Sequence, residues 1–246
     1  MFYGSISRGA RSGGFNKIED PNDPGSFQLL FKPETLWNYE LGFKTTLMDR
    51  HLVLNGSVFY QDIKNHQEFA FLPNVAAQIV YNIPKSRIFG LELDTAYHFS
   101  RETQIGASFG YLDTKITGFD GTDAGFATDI PAKGRPLPGV YQWQYTVFAE
   151  HSAEVGRGEV VGRVEWTQKG KLHWFLDGLN KGLNVGLLGG SLSYHQDAWK
   201  LTLWGDNLTN QRYYASYEPS SQTGLVQDIG YRAPGRRFGA KLAVTF

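Results

Sequence analysis

Alternation of apolar and polar residues at every second position, repeated in segment after segment, constrains this chain more than any other feature. From Trp37 the alternate residues read Trp37, Tyr39, Leu41, Phe43, Thr45 and Leu47, and those between them read Asn38, Glu40, Gly42, Lys44 and Thr46. One face of such a strand is aromatic and aliphatic. The other is too charged for the core of a sandwich. The split recurs downstream. Leu52, Leu54, Val58 and Tyr60 oppose Asn55, Ser57 and Gln61; Phe89, Leu91, Leu93, Tyr97 and Phe99 oppose Gly90, Glu92, Asp94 and His98. Ile105, Ala107, Phe109 and Tyr111, then Tyr141, Trp143, Tyr145, Val147 and Ala149, then Val160, Val164 and Trp166 behave alike, as do Trp199, Leu201 and Leu203 and finally Phe238, Ala240, Leu242, Val244 and Phe246. Only the Gly-rich stretch Leu183–Tyr194 resists assignment of its faces.

Several segments exceed the ~9 residues that a tilted strand needs to cross a bilayer. Aromatic residues gather near their ends (Trp37, Tyr39, Tyr60, Tyr97, Tyr111, Tyr141, Trp143, Trp166, Trp199), where interfacial girdles would lie. Short turns at Met48–His51, Ser100–Thr103, Ser152–Gly158 and His195–Ala198 alternate with long polar links at Gly9–Glu34, Glu68–Val75, Thr117–Pro138, Gly170–Gly182 and Asn210–Gly230. The expected fold is therefore all-β: an antiparallel transmembrane β-barrel segment of roughly ten long strands, with short periplasmic turns and long extracellular loops. If the barrel is incomplete, the first strand, Phe2–Arg8, and the last, Arg237–Phe246, are expected to be unpaired edges.

Composition agrees. The 24 basic and 24 acidic side chains cancel, so there is no basic excess for nucleic acid. Cysteine is absent, which excludes a disulfide scaffold and a thiolate metal site. A mean hydropathy of −0.35 would suit a soluble protein, but a lipid-facing strand needs apolar residues only at alternate positions. MFYGSISRGARSGGF lacks the basic and apolar regions of a signal peptide, so Met1 is read as an internal or artificial start.

Four stretches resemble the TonB-dependent outer-membrane receptors: Tyr3–Asn16, YGSISRGARSGGFN; Pro33–Lys44 with Leu54–Gln67; Asn82–Asp94, NIPKSRIFGLELD; and Leu203–Tyr214, LWGDNLTNQRYY, with Pro234–Phe246, PGRRFGAKLAVTF. The resemblance implies a barrel of about 22 strands with a plugged lumen. Residues 1–246 would be its C-terminal portion, with no plug domain. It further implies import of a scarce nutrient, foremost a ferric siderophore, and coupling to the energy-transducing TonB complex through an N-terminal plug. Phe246 resembles the terminal signal read by the barrel-assembly machinery. The implied location is the outer membrane, in contact with its lipid.

No catalytic or metal-binding constellation stands out, and no cofactor is expected. His51, His66, His98, His151, His173 and His195 are scattered. Asp120-Gly121-Thr122-Asp123 lacks the bidentate Glu of a calcium loop and reads as a polar loop tip. Ligand contact is expected instead from loop residues. Arg8, Arg11, Phe15 and Lys17 offer positive charge with an aromatic, suited to an anionic iron chelate, and Tyr213, Tyr214 and Tyr217 form a second cluster. A small ten-stranded pore is the alternative, or an omptin-like outer-membrane protease. The protease would need an Asp–His pair at its rim, where Asp62, Asp113 and Asp206 have no His neighbour apart from His66.

Overall fold

A computed structural model describes residues 1–16, 30–72, 77–119, 132–176, 182–218, 220 and 226–245. Its strands are β1 (Phe2–Arg11), β2 (Gly14–Phe15), β3 (Leu30–Phe31), β4 (Glu34–Leu47), β5 (Leu52–Leu72), β6 (Ala77–His98), β7 (Thr103–Gly118), β8 (Trp143–Val155), β9 (Gly158–Lys169), β10 (Val185–Gln196), β11 (Trp199–Asp206), β12 (Tyr214–Glu218), β13 (Ile229–Arg232) and β14 (Arg237–Val244). Ten of them form one antiparallel sheet in the order β1-β4-β5-β6-β7-β8-β9-β10-β11-β14, while β2–β3 and β12–β13 pair separately. Among the described residues the sheet does not close. β1 pairs only with β4, and β14 only with β11, leaving both as edges.

Register puts the alternating residues where the periodicity expects them. Leu41 faces Val58, Val58 faces Leu91, and Leu91 faces Tyr111, all on one side. That side is exposed: Leu41 and Leu242 are each 65% accessible. Large apolar side chains exposed over a whole sheet face suit a hydrocarbon solvent and not water. The register also settles Leu183–Tyr194. Leu192 stands between Gly162 and Leu203, and Tyr194 between Val160 and Leu201, so the even-numbered residues of β10 share the apolar face.

The opposite face is polar and internally bonded. Tyr3 donates to Glu40 at 2.8 Å, Gln104 donates to Glu150 at 2.8 Å, and Arg163 pairs with Glu150 at 3.4 Å and with Glu165 at 3.3 Å. The Arg163 guanidinium also lies 3.8 Å from the centre of the Phe148 ring. Many glycines sit inside strands beneath cross-strand rings, not in turns alone. Gly90 faces Phe59 and Gly106 faces Phe148, and a Cβ on either would come within 2.0 Å or 2.5 Å of the ring.

Buried apolar packing lies at the long-loop end. Tyr81, Ile83, Ile116, Phe119, Ala132, Leu137 and Leu176 form the core there, with Ile88 and Val140 against it. The links are therefore more structured than expected. β5 and β6 run to 21 and 22 residues and pair as far as Leu72 and Ala77, across the link expected at Glu68–Val75. The link expected at Asn210–Gly230 contains β12 and the first two residues of β13. Side-chain amides tie the first link down. Asn82 Nδ2 donates to Lys32 O at 3.0 Å and its Oδ1 accepts from Lys32 N at 2.6 Å; Asn16 exchanges the same pair of bonds with Val80 at 2.9 and 2.8 Å. Gln67 Nε2 adds bonds to the carbonyls of Ser12 and Lys32.

Candidate functional site

A cavity of about 450 Å³ opens at the long-loop end, within the range usual for small-ligand sites. It lies between the β12–β13 hairpin, residues 172–174, and the start of β10. Tyr141, Trp174, Tyr213, Tyr214 and Tyr217 supply rings, Leu172, Leu183 and Val185 apolar surface, and Arg212 and Arg232 charge. Among the described residues no carboxylate lines it. Two guanidiniums amid aromatic rings can bind an anionic ligand bidentately while rings stack on its planar parts.

Two sets of bonds hold the walls. On one side Gly139 N donates to His173 O at 2.7 Å, Gly182 N to Leu172 O at 2.6 Å, and Arg135 Nη1 to Leu176 O at 3.1 Å, fastening residues 172–176 to the loop core. On the other, Asn207 and Asn210 adopt φ of +48° and +55°, a left-handed conformation that Asn tolerates better than most residues. Asn207 Oδ1 accepts from Gln211 N at 2.7 Å, its Nδ2 donates to the carbonyls of Gln211 and Pro234, and Asn210 Oδ1 accepts from Arg236 N at 3.1 Å. The segment NLTN is thus a clasp between the end of β11 and the start of β14, and it sets where Arg212 and Tyr213 begin.

Asp228 anchors the hairpin that carries Tyr214 and Tyr217. The Tyr217 hydroxyl donates to its Oδ2, while the Ser220 amide and hydroxyl donate to Oδ1, each at 2.8 Å. The Tyr217 hydrogen bond, followed by those from Ser220, holds the Asp228 carboxyl below its ordinary value of 3.8, and the same bond raises the Tyr217 phenol. A depressed folded pKa stabilises above the unfolded value and is lost as pH falls through the folded one. The hairpin is therefore expected to keep its order throughout mildly acidic solution and to loosen only below the usual carboxylate range. Tyr217→Phe should move that loosening upward in pH. Proton NMR of the Ser220 amide against pH reads both; an unchanged midpoint in Tyr217→Phe contradicts the assignment.

The sequence-derived candidates fall in different places. Tyr213, Tyr214 and Tyr217 all line the cavity. Arg8 stands opposite Trp37 on the exposed apolar face, its guanidinium 5.8 Å from that ring's centre. Arg11, three residues on, stands opposite Glu34 on the other face, so the two arginines do not converge. Phe15 pairs with Leu30 in the small β2–β3 hairpin and is 67% exposed. Lys17, Phe246 and the Asp120–Asp123 stretch lie outside the described residues. Sequence reasoning passed over Tyr141, Trp174, Arg212 and Arg232. Arg212 adjoins the tyrosine cluster and was within reach of it, but the others come from distant links that no local spacing unites. The acids weighed for a protease are spread out: Asp113 pairs with Arg87 at 3.1 Å, Asp206 pairs with Arg237 at 2.9 Å, and His66 lies by Glu34 and Glu68.

Residues 1–245 match the family model described as TonB dependent receptor-like, beta-barrel. Among solved structures, the ferric yersiniabactin uptake receptor FyuA from Yersinia pestis superposes with a TM-score of 0.78 at 18% identity, over 100% of this chain and 35% of that one. The copper transporter OprC gives 0.75 at 17%, over 100% and 37%. BauA, the ferric preacinetobactin receptor from Acinetobacter baumannii, gives 0.67 at 18%, over 99% and 34%. The chain thus spans little more than a third of the length of these structures. With its exposed apolar face, polar inner face and loop-end cavity, the chain belongs to the TonB-dependent receptor β-barrel family, whose members are bacterial outer-membrane transport proteins and not enzymes.

Proposed function

We propose that this chain is the C-terminal portion of a larger plugged barrel that imports an anionic metal chelate, a ferric siderophore. The observation that carries this reading is the cavity lining, which among the described residues has two arginines, four tyrosines, one tryptophan and no carboxylate. Such a lining repels a bare cation and attracts an acidic or phenolate chelate. That preference sets the proposed cargo apart from the copper of the transporter OprC. The unpaired edges of β1 and β14 favour a larger barrel over a closed ten-stranded pore or protease, because open edges cannot face hydrocarbon. Transport would then draw on the TonB complex through a plug, and assembly on machinery that reads the terminal Phe246.

The test is ligand binding by the purified protein that carries this barrel, followed by quenching of tryptophan emission. Ferric yersiniabactin and ferric catecholates are compared with Cu²⁺ alone. Arg212→Gln and Arg232→Gln should each weaken chelate binding about 10- to 100-fold, the loss expected for a charge-assisted hydrogen bond. Chelate binding indifferent to both substitutions, or Cu²⁺ bound more tightly than every chelate, would overturn the proposal.

A further inference from the structure

We propose that the outer face of β1, β4, β5, β6 and β7 is a binding site for a phosphorylated glycolipid of the outer leaflet, with its phosphates on Lys64, Lys85 and Lys115 and an acyl chain in the groove beneath. This inference does not depend on which ligand the barrel imports.

Burial fixes which way these cations point. Ile63, Ser86, Thr114 and Ile116 are buried on the inner side, so their chain neighbours Lys64, Lys85, Arg87 and Lys115 project from the opposite face, and all three lysines are exposed. Lys64 and Lys85 are direct cross-strand partners, whereas Arg87 stands between Asp62 on one side and Lys115 on the other. Like charges placed directly opposite destabilise a sheet unless an anion lies between them. Arg87 is engaged by Asp113 at 3.1 Å, but among the described residues no carboxylate lies within 4.0 Å of Lys64, Lys85 or Lys115. The lysine positions are not slack. The bulge at Lys85–Ser86 brings Gly118 beneath the Lys85 stem, where an added Cβ would meet it at 3.3 Å.

Depth agrees with a headgroup site. Tyr60, Phe89 and Tyr111 form the aromatic belt on this face. Lys64 and Lys115 lie four residues above Tyr60 and Tyr111, ~13 Å along a strand or ~9 Å along the membrane normal at the usual tilt. Headgroups occupy about 5–8 Å beyond the hydrocarbon on each side, so the lysine backbones stand at the outer edge of that layer and their side chains can reach down to the phosphates. The charge is local to these strands. Outward positions near the upper ends of β8, β9 and β10 are Trp143, Gln168 and Gly186, and the short turns at the other end mix signs, as in Asp49–Arg50 and Arg101–Glu102.

The groove argues for a lipid over free phosphate. Directly below the cations, on β1, β4, β5 and β6, a shallow apolar trough of about 530 Å³ is lined by Ile6, Tyr39, Leu41, Val58, Tyr60 and Phe89. A molecule with both a phosphate and an acyl chain satisfies both features at once. Juxtamembrane cations contribute enough at an anionic surface for the three lysines together to change affinity on the order of a hundredfold.

Native mass spectrometry of the protein that carries this barrel, released from outer membranes in mild detergent, tests the proposal. Diphosphorylated lipid A, its dephosphorylated form and inorganic phosphate are the probes. The wild type should retain diphosphorylated lipid A about a hundredfold more tightly than the dephosphorylated form, and millimolar inorganic phosphate should not displace it. K64Q/K85Q/K115Q should lose that preference, while K64R/K85R/K115R should keep it. Equal retention of the two lipids by the wild type overturns the proposal without recourse to any variant. So does displacement by inorganic phosphate, or full retention by the folded glutamine variant.

Discussion

Leu93→Arg destabilises the folded barrel by about 2–4 kcal/mol, the penalty for a cation on the lipid face near the bilayer midplane. Leu93 lies on β6 midway between Phe89 and Tyr97, with Gly56 and Phe109 as its cross-strand partners and 37% of its surface exposed. Among the described residues nothing hides an arginine there, and the aromatic belts on either side are too far to let it reach water readily. Ser108→Arg, on the neighbouring strand but on the inner face opposite Asp94 and Thr146, is expected to change stability by less than about 0.5 kcal/mol, as ordinary surface substitutions do. Urea titration of the two variants in phosphocholine bilayers measures the difference. Equal effects would mean that the exposed apolar face does not meet lipid.

The second large effect concerns the loop end. Asn82→Leu keeps much of the volume at a site that is 7% exposed, but removes its bonds to Lys32 N, Lys32 O and Asn65 O. The Lys32 carbonyl retains Gln67, at 3.1 Å. The Lys32 amide and the Asn65 carbonyl are left unpaired, and each such loss costs about 1–3 kcal/mol. The expected result is local release of the tie between residues 30–34 and β6, with protection of the Lys32 amide from hydrogen exchange falling about 30-fold or more. Exchange at Val147, in the mid-sheet ladder of β8, should not change. Acceleration at both amides alike would mean that Asn82 acts on global stability and not on the tie.

The fold was legible where a strand crosses lipid, because there one face must be apolar and the other polar, and β4 shows that in every residue from Trp37 to Phe43. Legibility ended where the constraint ended. Above the aromatic belt β5 and β6 are no longer wetted by hydrocarbon on one side. Ile79, Tyr81 and Ile83 are buried under loops instead, and strict alternation gives way to local packing. In β10 glycine carries no face, so only pairing with Leu203 and Gly162 reveals where Leu192 points. Amide ties such as Asn16 on Val80 have no signature in the sequence, since a buried Asn and a solvated one read alike.

The candidate site divides in the same way. Tyr213, Tyr214 and Tyr217 are close in the chain and stand out together in the sequence, whereas Arg232 and Trp174 reach the cavity only through the pairing of β12 with β13 and the anchoring of residues 172–176. Arg8 and Arg11 read as one cluster along the sequence, yet an odd separation along a strand puts residues on opposite faces.

In this fold one sheet face meets lipid and the other faces the interior. Because the chain has no cysteine, single cysteines can be placed along β6 from Leu91 to Thr95, labelled with a fluorophore, and probed with brominated lipid. Strong quenching at positions 91, 93 and 95 with weak quenching at 92 and 94 is the predicted result. Quenching that is uniform along the segment, or strongest at 92 and 94, would contradict it.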